Sequence, residues 1–135
     1  MPTSTVSSSV NSAALAPSPA SPPLCFLYSK ANERIVTQSS NRNGNAGRPY
    51  YKCTPCNNFL VFADERGNDP TNPECHCGFS SKRQITGRSD RVAGLVHYVC
   101  RLGECDYYNP SRDESGIATV IAANLIDDLS KLSII

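Results

Sequence analysis

Short apolar runs alternate with polar turns from residue 24 to residue 110, and this pattern predicts β-strands rather than helices. The asparagine-glycine step at positions 43 and 44 strengthens the pattern, because both residue types tolerate the positive φ of a tight turn. Beyond residue 110 the apolar positions recur at helical intervals instead. The runs that predict strands cover residues 24–28, 34–37, 48–53, 58–64, 82–86, 95–100 and 106–108.

The C-terminal stretch, residues 111–135, predicts an amphipathic helix of roughly 15 to 20 residues. Ser111 and Glu114 have the spacing of a capping box. We expect the apolar face of this helix to contact the strands; a protein partner, or self-association through a second copy of the helix, is the alternative. The apolar positions at helical spacing are Ala118, Ile121, Ala122, Leu125, Leu129 and Leu132.

Residues 1–24 have a different composition from the rest of the chain. They carry no charged side chain and are dominated by Ser, Ala and Pro. Such a segment buries too little apolar surface to offset the entropy of ordering it, so we expect a disordered tail. It resembles neither a secretory signal nor a mitochondrial presequence, and no run approaches the roughly 18 apolar residues that span a membrane. We therefore expect an intracellular protein, nuclear or cytoplasmic, without a membrane partner.

The cysteine content changes the picture of the core. The chain has 135 residues, seven cysteines and no tryptophan, and a core this thin needs disulfides or a metal. An intracellular compartment is reducing, so we favour metal over disulfide pairing. The net charge is only +1, which does not mark an obvious nucleic-acid binder. The predicted metal-stabilised domain covers residues 25–110.

Two cysteine-containing stretches repeat at an offset of 47 residues. The first is GRPYYKCTPC at residues 47–56, and the second is GLVHYVCRLGEC at residues 94–105. The offset aligns Tyr51 with Tyr98 and Cys53 with Cys100. The predicted fold class is therefore a small zinc-stapled, β-rich protein of two tandem zinc-ribbon-like hairpin units, followed by the C-terminal amphipathic helix.

The second unit contains a complete set of metal ligands. Two pairs of cysteines, each on its own turn, match the tetrahedral preference of zinc for four thiolates. Four protein ligands close such a site, which argues against hydrolytic chemistry there. The predicted ligands are Cys75, Cys77, Cys100 and Cys105.

The first unit lacks one ligand. Its candidates are Cys25, Cys53 and Cys56, and the offset of 47 places Tyr28 where Cys75 stands in the second unit. The open choices for a fourth ligand are a histidine (His76 or His97) or a water. A second zinc therefore depends on this position; without it, Tyr28 would fill the space by packing.

At these residues the sequence resembles a known family. The run Gly47-Arg48-Pro49-Tyr50-Tyr51-Lys52-Cys53, followed by Cys56, Phe59, Phe62, Ala63 and Asp64, resembles the GRF-type zinc finger. Residues 75–78 and 98–100 are similar to the same family, and residues 25–108 together resemble the GRF-like zinc ribbon proteins of fungi. Pro49 displaces the usual aromatic residue after Gly-Arg, Phe62 replaces the usual Trp, and Leu95 stands in place of Arg.

The resemblance implies a function, because GRF fingers serve as single-stranded DNA-binding modules in DNA-repair enzymes and topoisomerases. Such binding needs cations along a groove and aromatic faces for the bases. Tyr50 and Tyr51 are adjacent in a predicted strand, so only one of them can be exposed for stacking. The candidate contacts to single-stranded DNA or RNA are Arg42, Arg48, Tyr50, Tyr51, Lys52, Arg91 and Arg101. The alternative is a protein-interaction module with purely structural zinc.

Catalysis is not expected from this sequence. It has no paired-carboxylate constellation, no Ser/His/Asp set with supporting spacing and no phosphate-binding glycine loop. Cys25 beside His76 or His97 is the one arrangement that suggests a nucleophile. We therefore predict a non-catalytic zinc-binding module.

Overall fold

The computed structural model describes residues 15–26, 31–40, 44–86 and 93–135. Residues 1–14 of the predicted tail lie outside this range, as do Tyr28, Arg42 and Arg91. Within the described ranges, no helix has the length and apolar character needed to cross a membrane. The domain boundaries proposed from the sequence stay predictions.

The first unit is a three-stranded antiparallel sheet. Its strands are β1 (Glu33–Val36), β2 (Pro49–Cys53) and β3 (Asn58–Phe62), in the order β1-β2-β3. Tyr51 of β2 pairs with Val61 of β3, and both side chains are buried. Aromatic and β-branched residues suit such a pleated, half-buried surface, so this face supplies the apolar core of the unit.

The second unit repeats that plan. Its strands are β4 (Lys82–Ile85), β5 (Val96–Val99) and β6 (Tyr108–Pro110), again antiparallel in chain order. An offset of 47 carries the first residue of β2 onto the first residue of β5. Gly47 and Gly94, which correspond under the same offset, have φ angles of 75° and 77°. The predicted fold class of two related β units is confirmed.

The C-terminal region differs from its prediction. A 3-10 turn at Ala123–Leu125 leads into α1, which covers only Ile126–Lys131. Residues 114–116 instead form a turn across which Arg112 pairs with Ala118, and residues 117–121 then run along the second sheet. Leu95 pairs with Val120, and the Val96 N–H donates to the carbonyl of Thr119. The helix is therefore short, and the residues before it act as additional strand.

A turn at Asp113 explains why the helix does not start there. One carboxylate oxygen of Asp113 accepts hydrogen bonds from the N–H groups of Ser115 and Ile117. Gly116 follows with a φ of 81°, which reverses the chain. An aspartate side chain that bonds backbone groups just ahead of it competes with helix formation. The segment that contains Ser111 and Glu114 therefore forms a tight turn and not the start of a helix.

A half-buried carboxylate joins the two sheets. Asp64, two residues after β3, accepts two hydrogen bonds from Arg48, at 2.6 and 3.1 Å. The same carboxylate accepts one from Lys82 of β4, at 3.0 Å. Arg48 also donates to Asn45, and Lys82 also donates to Asn68. Asp64 is therefore bonded both to Arg48 of its own unit and to Lys82 of the second unit.

The linker after Asp64 lies against β4. The Arg83 N–H donates to the carbonyl of Gly67 at 2.8 Å, and the Gly67 N–H donates to the carbonyl of Ser133. Gly67 has a φ of 78°, and a Cβ there would collide with the carbonyl oxygen of Arg83. This position therefore needs glycine for both its conformation and its close approach. Arg66 and Arg83 fix the chain end by donating to the carbonyl oxygens of Ile135 and Ile134.

Burial and charge pairing shift the pKa values of Asp64 and Lys82. It would raise the pKa of Asp64, but the hydrogen bond from Arg48 and the charge of Lys82 outweigh it and lower the pKa below 3.8. Lys82 is fully buried, and desolvation lowers its pKa from 10.5 to about 8, which Asp64 offsets only in part. The network therefore favours the charged form of Asp64, whereas burial disfavours the charged form of Lys82.

Removal of the shared carboxylate should uncouple the sheets. We expect Asp64→Ala to lower the free energy of unfolding of the zinc-loaded protein by about 3–5 kcal/mol, because Arg48 and Lys82 remain buried without a counter-charge. Glu65→Ala, at the exposed neighbouring position, should change it by less than about 0.5 kcal/mol. Denaturant unfolding measures both changes. Equal effects of the two variants would contradict the role of Asp64 in holding the two sheets together.

The lysine predicts that stability rises with pH in the alkaline range. Between pH 8 and 10.5 the unfolded chain binds the Lys82 proton more tightly than the folded chain does, so this residue's contribution to stability rises with pH. From pH 7.5 to 9.5 the gain should be about 2 kcal/mol. Lys82→Met should abolish it, and Lys131→Met on exposed α1 should retain it. Denaturant unfolding at the two pH values would disprove the assignment if Lys82→Met keeps the rise.

Candidate metal centres and an aromatic groove

Four cysteine sulfurs converge in the second unit, as the sequence predicts. Those of Cys75, Cys77, Cys100 and Cys105 lie within 4.8 Å of one another. Ligands at about 2.3 Å from a tetrahedral zinc would be about 3.8 Å apart, so the cluster has the right size. Cys75 and Cys100 are buried, and Cys77 and Cys105 are half-buried.

Backbone amides orient these sulfurs. The Cys77 N–H and the Glu104 N–H each approach a cysteine sulfur at 3.4 Å, those of Cys75 and Cys100 respectively. Tight turns create the geometry, with Gly78 donating to the carbonyl of Cys75 and Gly103 to that of Cys100. Amide donors of this kind stabilise thiolates and hold them in position for a metal.

The thiols of the four-cysteine cluster differ in how readily they ionise without a metal. Desolvation, followed by the influence of Cys105 and Cys100, raises the pKa of Cys77 to about 12. Burial also acts to raise the pKa of Cys105, but the Tyr107 N–H and hydrogen bonds from neighbouring thiols lower it instead. Zinc must therefore displace bound protons, and its apparent affinity will fall as the pH falls.

Three sulfurs converge in the first unit. Cys25, Cys53 and Cys56 form a second group within 4.8 Å, and the sulfurs of Cys25 and Cys56 are 3.5 Å apart. The Cys56 N–H lowers the pKa of Cys53, but the neighbouring thiols and burial raise it to about 11 overall. No disulfide joins any of the seven cysteines, all of which the structure describes. Both clusters can bind zinc.

Neither histidine completes the three-cysteine group. His76 is exposed, with Nε2 lying 3.7 Å from the carboxylate of Asp106. His97 is buried in the second sheet, bonded to Gln84 and stacked on Tyr108. The two histidine alternatives for the fourth ligand are therefore excluded in this structure, and Tyr28 lies outside the described residues.

Several predicted nucleic-acid contacts occupy structural positions. Arg48 is only 4% exposed, because its guanidinium is engaged by Asp64. Tyr51 lies on the buried face of β2. Arg101 is also buried and donates to the carbonyls of Ser80 and Pro17. Substitution of these three residues would therefore test stability rather than ligand contact.

Tyr50 and Lys52 lie on the opposite, outer face of the first sheet. There Tyr50 belongs to an aromatic patch with Phe59 and Phe62. The ring centroids of Phe59 and Phe62 are 4.9 Å apart, and Tyr50 is 5.5 Å from Phe59. Lys52 pairs with Phe59 across the strands. This face therefore combines aromatic surface with a cation.

A β-bulge produces the aromatic patch. Strict alternation would place Phe59 and Phe62, three positions apart, on opposite faces of β3. The register shifts opposite Tyr51 and Lys52, which pair with Val61 and Phe59, so Leu60 is the extra residue. The bulge brings both phenylalanines to one side. The sequence motif contains these aromatics, but alternation alone does not reveal their common face.

The aromatic patch forms one wall of a groove of about 360 Å³ between the sheets. The opposite wall carries His97 and Tyr108, whose rings stack with centroids 4.9 Å apart. Phe59 and Tyr108 are 44% and 54% exposed. The remaining lining residues are Asn45, Phe62, Gln84, Ile85 and Thr86. Sequence analysis did not single out His97 or Tyr108 as groove residues, because their proximity to Phe59 depends on how the sheets dock.

Removal of metal should unfold the domain. We expect a chelator to abolish the cooperative thermal transition of residues 25–110, because structural zinc sites supply about 10–16 kcal/mol of apparent folding energy and the apolar core is small. Metal analysis should give two zinc ions per chain. Cys100→Ser should remove one of them and unfold the second unit. An unchanged transition after chelation would contradict this dependence.

A family model supports the zinc-ribbon assignment of the first unit. Residues 22–66 match the family model of the GRF-like zinc ribbon domain. Among solved structures, the chain is similar to the tandem zinc finger GRF domains of human NEIL3, with 22% identity and a TM-score of 0.26 over 65% of this chain and 96% of that one. No curated protein matches the chain. The first unit therefore carries the signature of the GRF-like zinc ribbon domain, in agreement with the resemblance of its sequence motif.

Proposed function

We propose that this chain is a non-catalytic module that binds single-stranded nucleic acid, DNA or RNA, in the aromatic groove. The observation that carries the proposal is the pair of aromatic walls: Phe59 and Phe62 on one sheet, and His97 and Tyr108 on the other. Every nucleobase has a π-face, so an aromatic groove accepts single strands without reading their sequence. Bases in a duplex are stacked on one another and cannot enter in this way.

The charges near the groove also favour a nucleic acid. Lys52 lies beside Phe59 on the outer face of the first sheet, where it can contact a phosphate. The groove lining contains no carboxylate, so it presents no repulsion to the backbone of a nucleic acid. Arg42 and Arg91 stay predicted contacts from the sequence.

In this proposal the zinc sites and the buried arginines act indirectly. The Arg48 guanidinium lies 3.8 Å from the centre of the Phe62 ring, on its buried side. It therefore supports the wall of the groove and holds Phe62 in place. The four-sulfur cluster stabilises the second sheet, and its closed set of ligands leaves no position for a reacting water.

A protein-interaction role is the second candidate. The observation that favours it is a set of exposed aliphatic side chains in the C-terminal region, which the short helix leaves uncovered. These are Ile117, Val120, Leu125 and Leu132. Failure of the zinc-loaded protein to bind single strands at low salt would favour this alternative.

Fluorescence anisotropy with a labelled single strand tests the nucleic-acid proposal. Binding to the zinc-loaded chain should weaken from 50 to 200 mM salt, and a matched duplex should bind more weakly. Phe59→Ala and Tyr108→Ala should each cost about 1–3 kcal/mol of binding free energy, the value of one stacked base.

Phe79→Ala provides the matched control. Phe79 is 48% exposed, close to the exposure of Phe59, but it lies outside the groove beside Arg101. Its loss should leave the affinity for the single strand unchanged. Equal weakening by Phe79→Ala and Phe59→Ala would refute the groove, and circular dichroism of each variant would confirm that the fold is retained.

A further inference from the structure

A segment that precedes the first strand contacts both units. It covers residues 16–25, which we call the N-terminal strap, and it ends at Cys25 of the three-cysteine cluster. At its other end, the Ala16 N–H donates to the carbonyl of Asn68 at 2.8 Å, and Nδ2 of Asn68 donates back to the carbonyl of Ala16 at 3.0 Å. Asn68 is fully buried, so the strap belongs to the interior of the protein.

The strap is also bonded beside the four-cysteine cluster. Nη1 of Arg101 donates to the carbonyl of Pro17 at 2.9 Å, and Arg101 directly follows Cys100, one of the four sulfur ligands. Nε of Arg101 donates to the carbonyl of Ser80 at 3.1 Å, which fixes the guanidinium within the second unit. A shift of Cys100 would therefore reach the strap through the adjoining residue.

The turn at residues 100–105, which carries two of those four ligands, packs against the strap and the first sheet. A Cβ at Gly103 in this turn would lie 3.0 Å from the side chain of Val61 and 3.2 Å from those of Leu60 and Pro23. These distances are shorter than an ordinary contact between carbon atoms. Pro23 is buried. The turn therefore fits the first unit with no spare space.

The position of Pro23 restricts the position of Cys25. The Pro23 carbonyl accepts hydrogen bonds from the N–H and Nδ2 of Asn32, at 3.0 and 2.8 Å. Cys25 follows two positions later, and its sulfur lies 3.5 Å from that of Cys56. Two residues span about 7 Å at most, so Cys25 cannot move far while Pro23 stays in place.

We propose that the two zinc sites bind metal cooperatively, because the strap and the turn at residues 100–105 order one another. The turn is fixed when the four-cysteine cluster is loaded, and it then holds Pro23. Cys25 is fixed when the three-cysteine cluster is loaded, and the strap then offers an ordered surface to the turn. Occupancy of each site therefore raises the metal affinity of the other by the same factor, typically about 5- to 150-fold. The inference is independent of nucleic-acid binding.

The network around Asp64 is the competing route, because it also joins the two units. The strap contacts differ from it in their position along the chain. Pro23 stands two residues before Cys25, and Arg101 stands next to Cys100, whereas Asp64 adjoins no cysteine. The experiment must therefore measure the coupling itself and then the share that the strap carries.

Zinc titration of the full chain against a chromophoric chelator measures the coupling. Cys53→Ser disables the three-cysteine cluster, and the zinc affinity of the four-cysteine cluster should then fall by about 5- to 150-fold. Cys56→Ser, which replaces a half-buried ligand, serves the same purpose if Cys53→Ser prevents folding. An affinity equal to that of the wild type would overturn the proposal.

Two neighbouring prolines separate the strap from the Asp64 network. Pro23→Ala keeps the carbonyl that Asn32 bonds but removes ring carbons from the contact with the turn. The coupling factor should fall by about fourfold for each methylene group that loses its contact. Pro22→Ala loses the same backbone restriction at an exposed position and should keep the full factor. Undiminished coupling in Pro23→Ala would assign it to the Asp64 network and overturn the proposal.

Hydrogen exchange gives a second readout that does not depend on affinity. Zinc is kept in excess, so that the four-cysteine cluster stays loaded in the Cys53→Ser chain. The Gly103 N–H, which donates to the carbonyl of Cys100, should then exchange faster than in the wild type. The Val96 N–H of β5, which donates to Thr119, should keep its rate. An unchanged rate at Gly103 would contradict ordering of the turn by the strap.

Discussion

The relative position of the two sheets depends on one carboxylate. Asp64 is held by Arg48 from its own unit and by Lys82 from the other, so the relative position of the sheets is set by a charge network rather than by a large apolar interface. Buried ion pairs contribute little net stability over apolar packing, but they penalise every arrangement that separates their members. In a chain with so thin a core, this network gives the docking its specificity. The aromatic groove exists only because that docking is defined.

The strands and the cysteines could be predicted from the sequence because their signals are local. Alternating apolar runs marked the six strands of the described residues, whereas the run at residues 24–28 shows only the isolated bridge at Leu24 in its described part. The offset of 47 residues identified the two units. The cysteine pairs on turns identified both sulfur clusters, including the one that lacks a fourth ligand. Each of these features depends on a few neighbouring residues and on fixed geometric preferences.

The errors arose where tertiary context changes the meaning of a residue. Arg48 looked like a surface cation, but Asp64, 16 positions later, draws it into the interior. The helical spacing after residue 110 was real, yet Gly116 reverses the chain, and Thr119, Val120 and Ile121 then bond to the second sheet instead. Propensity is a weak guide when an unpaired strand lies within reach. The groove itself could not be predicted, because it requires both the bulge in β3 and the docking of the sheets.

The bulge at Leu60 also affects how the protein behaves at high concentration. β3 is an outer strand of its sheet, and its apolar residues would make a regular ladder there a template for strands of other molecules. The extra residue interrupts the regular spacing of N–H and C=O groups along that border, which is a known protection against edge-to-edge aggregation. The same irregularity that gathers the aromatic side chains on one face therefore helps to keep this sheet from polymerising.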